Sequence, residues 1–355
     1  MTNPKKRIAV IVINYNGEKL LNKFLPSIIE FSDKKISDIY VIDNNSNDAS
    51  VTLLKRKFPS INTIINKKNY GYAKGYNEGT KKIKHDYFVF VNSDVEVTKN
   101  WLNPIFDTLE SNNKIGTCQP KIISYKNKKF FDYAGASGGY IDYLGYPYCR
   151  GRIFDTIEID DSQYNNETEI FWSSGSCFMI RSEIFFDLGG FDEDFFAHME
   201  EIDLCWRVKR MGFINYCQPK SKVYHIGGET LDYNNPRKTF LNFRNNLIMM
   251  AKNENFVELL IKIPLRFILD SIASIKILFE KKSLFHFFSI YKAYLSFISY
   301  LPSIILKKKR ERLNRISLKK IIIPFEYFIR GKKGLVIYRY LFPILIKICI
   351  FVNYK

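Results

Sequence analysis
Hydrophobic and polar positions follow two alternating periods through the first hundred residues. IAVIVINY (8–15) is an unbroken apolar run of strand length, and EKLLNKFLPSIIEF (18–31) follows with Leu20, Leu21, Phe24, Leu25 and Ile28 at helical spacing. The switch recurs: DIYVIDNNS (38–46) predicts a strand, ASVTLLKRKF (49–58) a helix, INTIIN (61–66) a strand, NEGTKKIK part of a helix and YFVFVNSD (87–94) a fourth strand. Strands and helices alternating at this spacing predict an α/β fold, a mostly parallel sheet with helices on both faces. From about residue 115 the segments are shorter and mixed. The Gly/Tyr-rich ASGGYIDYLGYPYCRG among them suits either a lid over a site or irregular surface packing.

The strands of such a sheet end on one edge, where ligands bind. Three of the predicted strands end in polar residues: Asn14-Tyr15-Asn16, Asp43-Asn44-Asn45-Ser46 and Asn92-Ser93-Asp94. One such ending is an ordinary turn, whereas three on one edge describe a cleft.

Composition adds a second region. The apolar fraction of 46% and charged fraction of 25% are those of a folded protein and exclude extensive disorder. The net charge of +18 is lopsided: residues 251–355 carry 21 Lys/Arg against 6 Asp/Glu, the first 250 only 33 against 30. The basic part is also apolar, with LFHFFSIYKAYLSFISYLPSIIL (284–306), then Lys307-Lys308-Lys309-Arg310, and later YLFPILIKICIFVNY. Apolar faces bounded by cations suit a helical region lying in an anionic bilayer surface better than a nucleic-acid binder. Lys292 and Pro302 favour an in-plane or re-entrant helix over a membrane span. The N-terminal apolar run is too short for a signal-peptide core, so the expected location is the cytoplasmic face of a membrane. Six scattered cysteines without a CxxC pair are expected to be reduced core residues.

Candidate chemistry gathers in HMEEIDLCWRVKRMGF, where Glu200, Glu201 and Asp203 open a helix. Acids in a first turn stabilise the helix dipole, and a partly desolvated one can serve as a general base. In NYGYAKGYNEG, Gly71, Gly75 and Gly79 recur every four residues, permitting close approach of a ligand or a neighbouring element. The GxGxxG fingerprint of dinucleotide enzymes is not matched. Arg244 and the asparagines of NPRKTFLNFRNNL could reach a diphosphate or the acceptor, or lie on a solvated helix face.

Together IVINYNG, VIDNNSNDAS, NYGYAKGYNEG, FVNSDVEV, SGSCFMIRSEIFFDLGGFDEDFF, HMEEIDLCWR and VYHIGG resemble glycosyltransferase family 2, of GT-A fold and the rhamnosyltransferase-like bacterial branch. The resemblance spans residues 5 to 250 or so. It implies a GT-A catalytic domain over 1–250, with a nucleotide-binding half (1–115) and an acceptor and catalytic half (116–250), followed by the basic helical region 251–355. It places the donor's nucleobase or ribose at Asp43; the polar strand ends, the glycine motif and the Arg-bearing helix add Asn14, Tyr15, Asn16, Asn45, Gly71, Asn77, Asn92 and Arg244 as donor-binding candidates. It assigns Mg2+ or Mn2+ to Asp94, Asn92 and His225, although relatives often carry Asp where Asn92 stands. Glu201 is the implied base, with Glu200 and Asp203 as the other acids in reach, and His198 is either a ligand contact or a packing residue.

The implied reaction is an inverting sugar transfer from a dTDP-rhamnose or UDP-hexose donor to a saccharide or polyprenyl-diphosphate-linked acceptor in bacterial surface polysaccharide synthesis. The competing readings are a sugar nucleotidyltransferase, whose Gly-rich first loop is missing after Ile13, and a non-catalytic nucleotide-sugar or nucleic-acid binder. The near-neutral first 250 residues argue against nucleic acid.

Overall fold
An apolar run without alternation needs cover on both faces, and the first strand receives it. In the computed structural model, which describes residues 7–227, 235–310, 313–318 and 320–331, β1 (Ile8–Asn14) sends Ile8, Val10 and Val12 into one core with Leu21, Leu25 and Ile28 of α1 (Glu18–Phe31). Ala9 and Ile11 enter a second core on the other face, with Ala73 and Tyr76. The order continues through β2 (Ser37–Asp43), α2 (Ser50–Lys57), β3 (Asn62–Ile65), α3 (Gly71–Thr80), β4 (Tyr87–Asn92), β5 (Val95–Val97), α4 (Leu102–Ser111) and β6 (Ile115–Ser124). Four short strands follow, β7 (Gly139–Ile141), β8 (Pro147–Cys149), β9 (Arg152–Ile153) and β10 (Thr156–Ile157), then β11 (Thr168–Ile170), β12 (Cys177–Arg181), α5 (Ser182–Asp187), α6 (Glu200–Arg210) and β13 (Ile214–His225). The last helices are α7 (Pro236–Asn253), α8 (Phe256–Lys281) and α9 (Leu284–Arg310), with one π-turn at Phe325–Ile329.

The main sheet runs β11-β13-β6-β12-β4-β1-β2-β3, with β5 added to β13. β1 to β4 are mutually parallel, and β12 is antiparallel to both β4 and β6. Winding goes outward from β1 to β3 and then returns to β4 on the other side of β1. The switch point therefore lies between β1 and β4, where open α/β sheets take their ligands. Strand register brings Asn14 opposite Asp43 and Ile13 opposite Asn92, so the polar strand ends do share one edge.

Helix α3 begins earlier than NEGTKKIK suggests, and the glycines are the reason. Gly75 and Gly79 lie against the sheet: a Cβ on Gly79 would sit 2.2 Å from the Ile42 side chain. Their spacing serves helix-on-sheet packing rather than a ligand. The Gly/Tyr-rich stretch also differs from a mobile lid, since it folds into the small antiparallel sheet β7-β8-β9-β10.

The boundary expected at residue 250 falls inside α7. One hydrophobic cluster joins Phe195 and Trp206 to Leu247 of α7 and to Ile290, Phe297 and Ile304 of α9. Lys307 clasps Asp192 at 2.8 Å and Asp194 at 2.6 Å. The C-terminal helices are therefore docked on the first part through shared core and ion pairs. Among the described residues no helix is long and apolar enough to cross a membrane. Cys118, Cys149, Cys177, Cys205 and Cys217 are buried and unpaired, while Cys349 and YLFPILIKICIFVNY lie outside the described residues.

Candidate active site
Beyond β4 the chain turns through Ser93-Asp94 into β5, which pairs antiparallel with the end of β13 and puts His225 opposite Val95. That pairing delivers the imidazole to Asp94, Nε2 to Oδ1 at 3.2 Å, while Nδ1 meets Asp132 Oδ2 at 3.1 Å. All three side chains are buried. Burial disfavours the imidazolium, but Asp94 and then Asp132 outweigh it and hold the His225 pKa well above its ordinary value. Burial likewise opposes ionisation of Asp94, and His225 reverses that, keeping its pKa low.

The donor set fits a divalent cation. A separation of 3.2 Å suits neighbouring ligands, whose bonds of about 2.1 Å at right angles put them about 3 Å apart. A carboxylate on the far nitrogen is the outer support that metal-binding histidines usually have. Asn92 lines the same cavity. Among the described residues no three His, Cys, Asp or Glu gather to hold a cation alone. The remaining ligands would be phosphate oxygens, as in Mg2+ sites built on one or two carboxylates.

The acids come from the other side of the cavity, at the start of α6. Two successive left-handed residues, His198 and Met199, both at φ 73°, turn the chain into the helix. Such backbone costs on the order of 1–3 kcal/mol per residue and persists only under external constraint. Asn245 supplies it, donating from Nδ2 to the carbonyls of Ala197 and His198 at 2.8 Å each. Glu200 and Glu201 then line a cavity of about 660 Å³ that also contains Asn92, Asp94, His225, Tyr72, Trp172 and Lys238. Among the described residues neither acid has a cation partner, and Oε2 of each has no hydrogen-bond partner. Burial pushes Glu201 up to about 7, and burial followed by Glu201 raises Glu200 well above the carboxylate range. Burial and its neighbour bias Glu200 toward its protonated form, and Glu201, at about 7, is the one poised to accept a proton near neutral pH. His198, lowered to about 4 by burial and then by Lys238, is neutral there, with Nε2 unpartnered among the described residues.

The other expected site residues fall into two groups. Tyr15, Asn16 and Asn45 are exposed on the loops that follow β1 and β2, and none of them lines the cavity. Asp43 is fully buried on the same edge, and its carboxylate accepts from Asn14 Nδ2 at 2.8 Å, Ser46 Oγ at 2.7 Å and the Ser46 amide at 2.8 Å. Asn14 Nδ2 and Asp43 therefore stitch the loops together, while Asn14 Oδ1 is buried without a hydrogen-bond partner among the described residues.

Four residues are engaged in the protein interior. Gly71 packs on the Phe196 carbonyl, which a Cβ would approach to 2.6 Å. Asn77 clamps Phe191, donating to its carbonyl at 2.8 Å and accepting from its amide at 3.0 Å. Arg244 donates to Asn245 Oδ1 at 2.9 and 2.7 Å, so it orients the amide that grips the His198 turn rather than reaching a diphosphate. Asp203 is bound to Arg207 at 2.8 Å and Lys252 at 2.9 Å, which removes it from the candidate bases.

Asp132 and Tyr72 escaped the sequence reading, and Asn245 entered it only among the helix asparagines that could reach a diphosphate or acceptor. Asp132 sits in an irregular segment with no periodicity. Tyr72 lies inside a quoted motif; its hydroxyl donates to the Gly175 carbonyl at 2.7 Å, beside Glu201.

A family model described as glycosyl transferase family 2 matches residues 9–189. The N-acetylglucosaminyl-diphospho-decaprenol L-rhamnosyltransferase of Mycobacterium tuberculosis is 23% identical over 234 residues, 61% of this chain and 75% of the relative. A hexosyltransferase of low-salt glycan biosynthesis from Haloferax volcanii is 22% identical over 284 residues, 78% of this chain and 86% of the relative. Among solved structures, the Pyrobaculum calidifontis mannosyltransferase PcManGT with GDP-Man and Mn2+ superposes with a TM-score of 0.51 at 13% identity, over 87% of this chain and 89% of the other. GalNAc-T7 with UDP, GalNAc and Mn2+ gives 0.55 at 17%, over 70% and 48%. At those identities the structural likenesses speak for the GT-A fold alone.

Proposed function
The chain belongs to glycosyl transferase family 2, and from that premise we propose an inverting, metal-dependent transfer from a nucleotide-sugar donor of the dTDP-rhamnose or UDP-hexose type. The acceptor is a saccharide or a lipid-linked saccharide of bacterial cell-surface polysaccharide synthesis, met at the cytoplasmic face of the inner membrane. The observation that carries the reading is Glu201, a carboxylate with no cation beside it among the described residues and raised to about 7, in the same cavity as Asp94 and His225.

In this reading Glu201 takes the proton of the acceptor hydroxyl. The oxygen's electron pair forms the new bond at the anomeric carbon as the bond to the diphosphate breaks, and the departing diphosphate carries off the electron pair of the broken bond. Attack opposite the leaving group inverts the anomeric centre. Glu200, biased toward its protonated form by burial and by Glu201, disfavours a second negative charge beside the base. Asp94 and His225, with Asn92 beside them, would hold a divalent cation, whose chemistry there would be to neutralise charge on the diphosphate. Asp132 fixes the His225 ring from behind.

A thermal-shift series with UDP-, dTDP- and GDP-sugars, with and without Mn2+, tests this. One donor class is expected to stabilise the chain by about 2.7 kcal/mol at a hundredfold excess over its Kd, and EDTA to abolish the shift. A flat response to every donor, or transfer that survives EDTA in full, refutes the proposal.

A further inference from the structure
Helix α8 is folded inside out. Its buried positions, Lys262, Arg266, Asp270 and Ser274, are all polar and recur every four residues. Leu260, Ile261, Leu265, Ile268, Ile272 and Ile275 are instead between 42% and 61% exposed. Between Leu259 and Ile275 no charged residue faces outward. A helix on an aqueous surface shows the reverse pattern. The inward row is fully provided for: Lys262 meets Glu254 at 2.6 Å, Arg266 donates to the Leu144 carbonyl at 3.0 Å and Asn246 Oδ1 at 2.8 Å, and Asp270 accepts from Tyr146 at 2.6 Å and Tyr294 at 2.8 Å. Helix α9 extends the outward apolar surface with Phe285, Phe288, Leu295 and Ile298, each at least 58% exposed.

We propose that this face lies in the surface of an anionic bilayer, with α8 in the plane of the interface. An apolar surface of this extent marks a docking site. No described helix can cross a membrane, which leaves the in-plane arrangement. Charge selects the partner: residues 251–355 carry 21 Lys/Arg against 6 Asp/Glu, so anionic lipid attracts this region, whereas a second copy brings another +18.

Docking also sets the active site's height above the lipid. Arg266 lines the catalytic cavity while its neighbours Leu265 and Phe267 face outward, so one helix, about 10 Å across, separates the cavity from the bilayer. This consequence rests on the function proposed above; the docking itself does not.

The test is co-sedimentation of the full chain with phosphatidylglycerol-rich vesicles and with phosphatidylcholine vesicles. Binding to the anionic vesicles that weakens with salt is expected. Ile268→Glu with Ile272→Glu should reduce it about a hundredfold. The corresponding Leu substitutions should preserve it, and the thermal unfolding midpoint should not move in either variant, because both side chains are exposed. Wild-type protein that ignores anionic vesicles, or a double Glu variant that pellets like wild type, overturns the proposal. So does light scattering that shows a dimer dissolved by the Glu pair without vesicle binding. A protein that binds vesicles yet no nucleotide sugar would count against the catalytic reading alone.

Discussion

Helix α6 carries two kinds of desolvated acid within a single turn. Asp203 is ringed by Arg207, Lys252 and Asn253, the last donating at 2.9 Å, and nearby Asp192 shares Lys252 with it at 2.5 Å. Glu200 and Glu201, three and two residues earlier, face the cavity with no cation among the described residues. Desolvation acts on all four in the same direction. For Asp192 and Asp203 it is outweighed, first by Lys252, and their pKa values fall, whereas for the two glutamates no cation offsets it and their pKa values rise. A compensated buried charge holds the structure together, and an uncompensated one marks where a proton can move.

The largest effect should come from removing that proton acceptor. Glu201→Gln keeps shape and burial but cannot take a proton, so turnover should fall by about 10² to 10⁴. The donor thermal shift should persist, because the Asp94–His225 end is untouched. The wild-type pH profile of kcat/KM should rise with a midpoint near the Glu201 value of about 7. A Glu201→Gln variant as fast as wild type would hand the base role to another group and remove the distinction between the two kinds of acid.

Which acid belongs to which kind was beyond the sequence. HMEEIDLCWR presents three carboxylates in one turn, and spacing alone cannot say that Asp203 points inward to Lys252, 49 residues away. The half that is locally encoded was legible. β1, α1 and β4 follow from their apolar periods within a residue or two, because both sheet faces and the helix stripe are buried along contiguous stretches. The shared edge of Asn14, Asp43 and Asn92 followed from parallel topology. Whether Asp43 or Arg244 would be free depended on Ser46 and Asn245, partners chosen by loop geometry that leaves no periodic trace. The inverted face of α8 was similarly hidden: the run reads as apolar with interspersed charges, and only packing shows which side is inside.

Breaking the compensated pair should cost stability rather than chemistry. Asp203→Asn leaves Arg207 and Lys252 buried with one carboxylate fewer, for a loss of about 3 kcal/mol, measurable as a lower urea midpoint at neutral pH. The pH dependence follows from a folded pKa below the unfolded one. The carboxylate's contribution is present above the ordinary carboxylate value of about 4 and is lost as pH falls below it, so wild type and variant should converge in acid. Equal midpoints at neutral pH would show that Asp192 alone satisfies both cations.

Glu200→Gln should have the smallest effect and the opposite sign. The folded pKa of Glu200 lies well above its unfolded value, so wild-type stability declines as pH rises from the unfolded pKa of about 4.3 toward the folded one. A neutral amide escapes that penalty. The variant should therefore match wild type near pH 4 and exceed it at alkaline pH, read from denaturant midpoints at the two pH values. Catalysis separates this from a role as base. Burial, not Glu200, is the main cause of the raised Glu201 value, so the Glu200→Gln variant should keep its pH–rate midpoint near 7. A variant that gains stability but loses its alkaline activity limb would move the proton acceptor one residue back along α6.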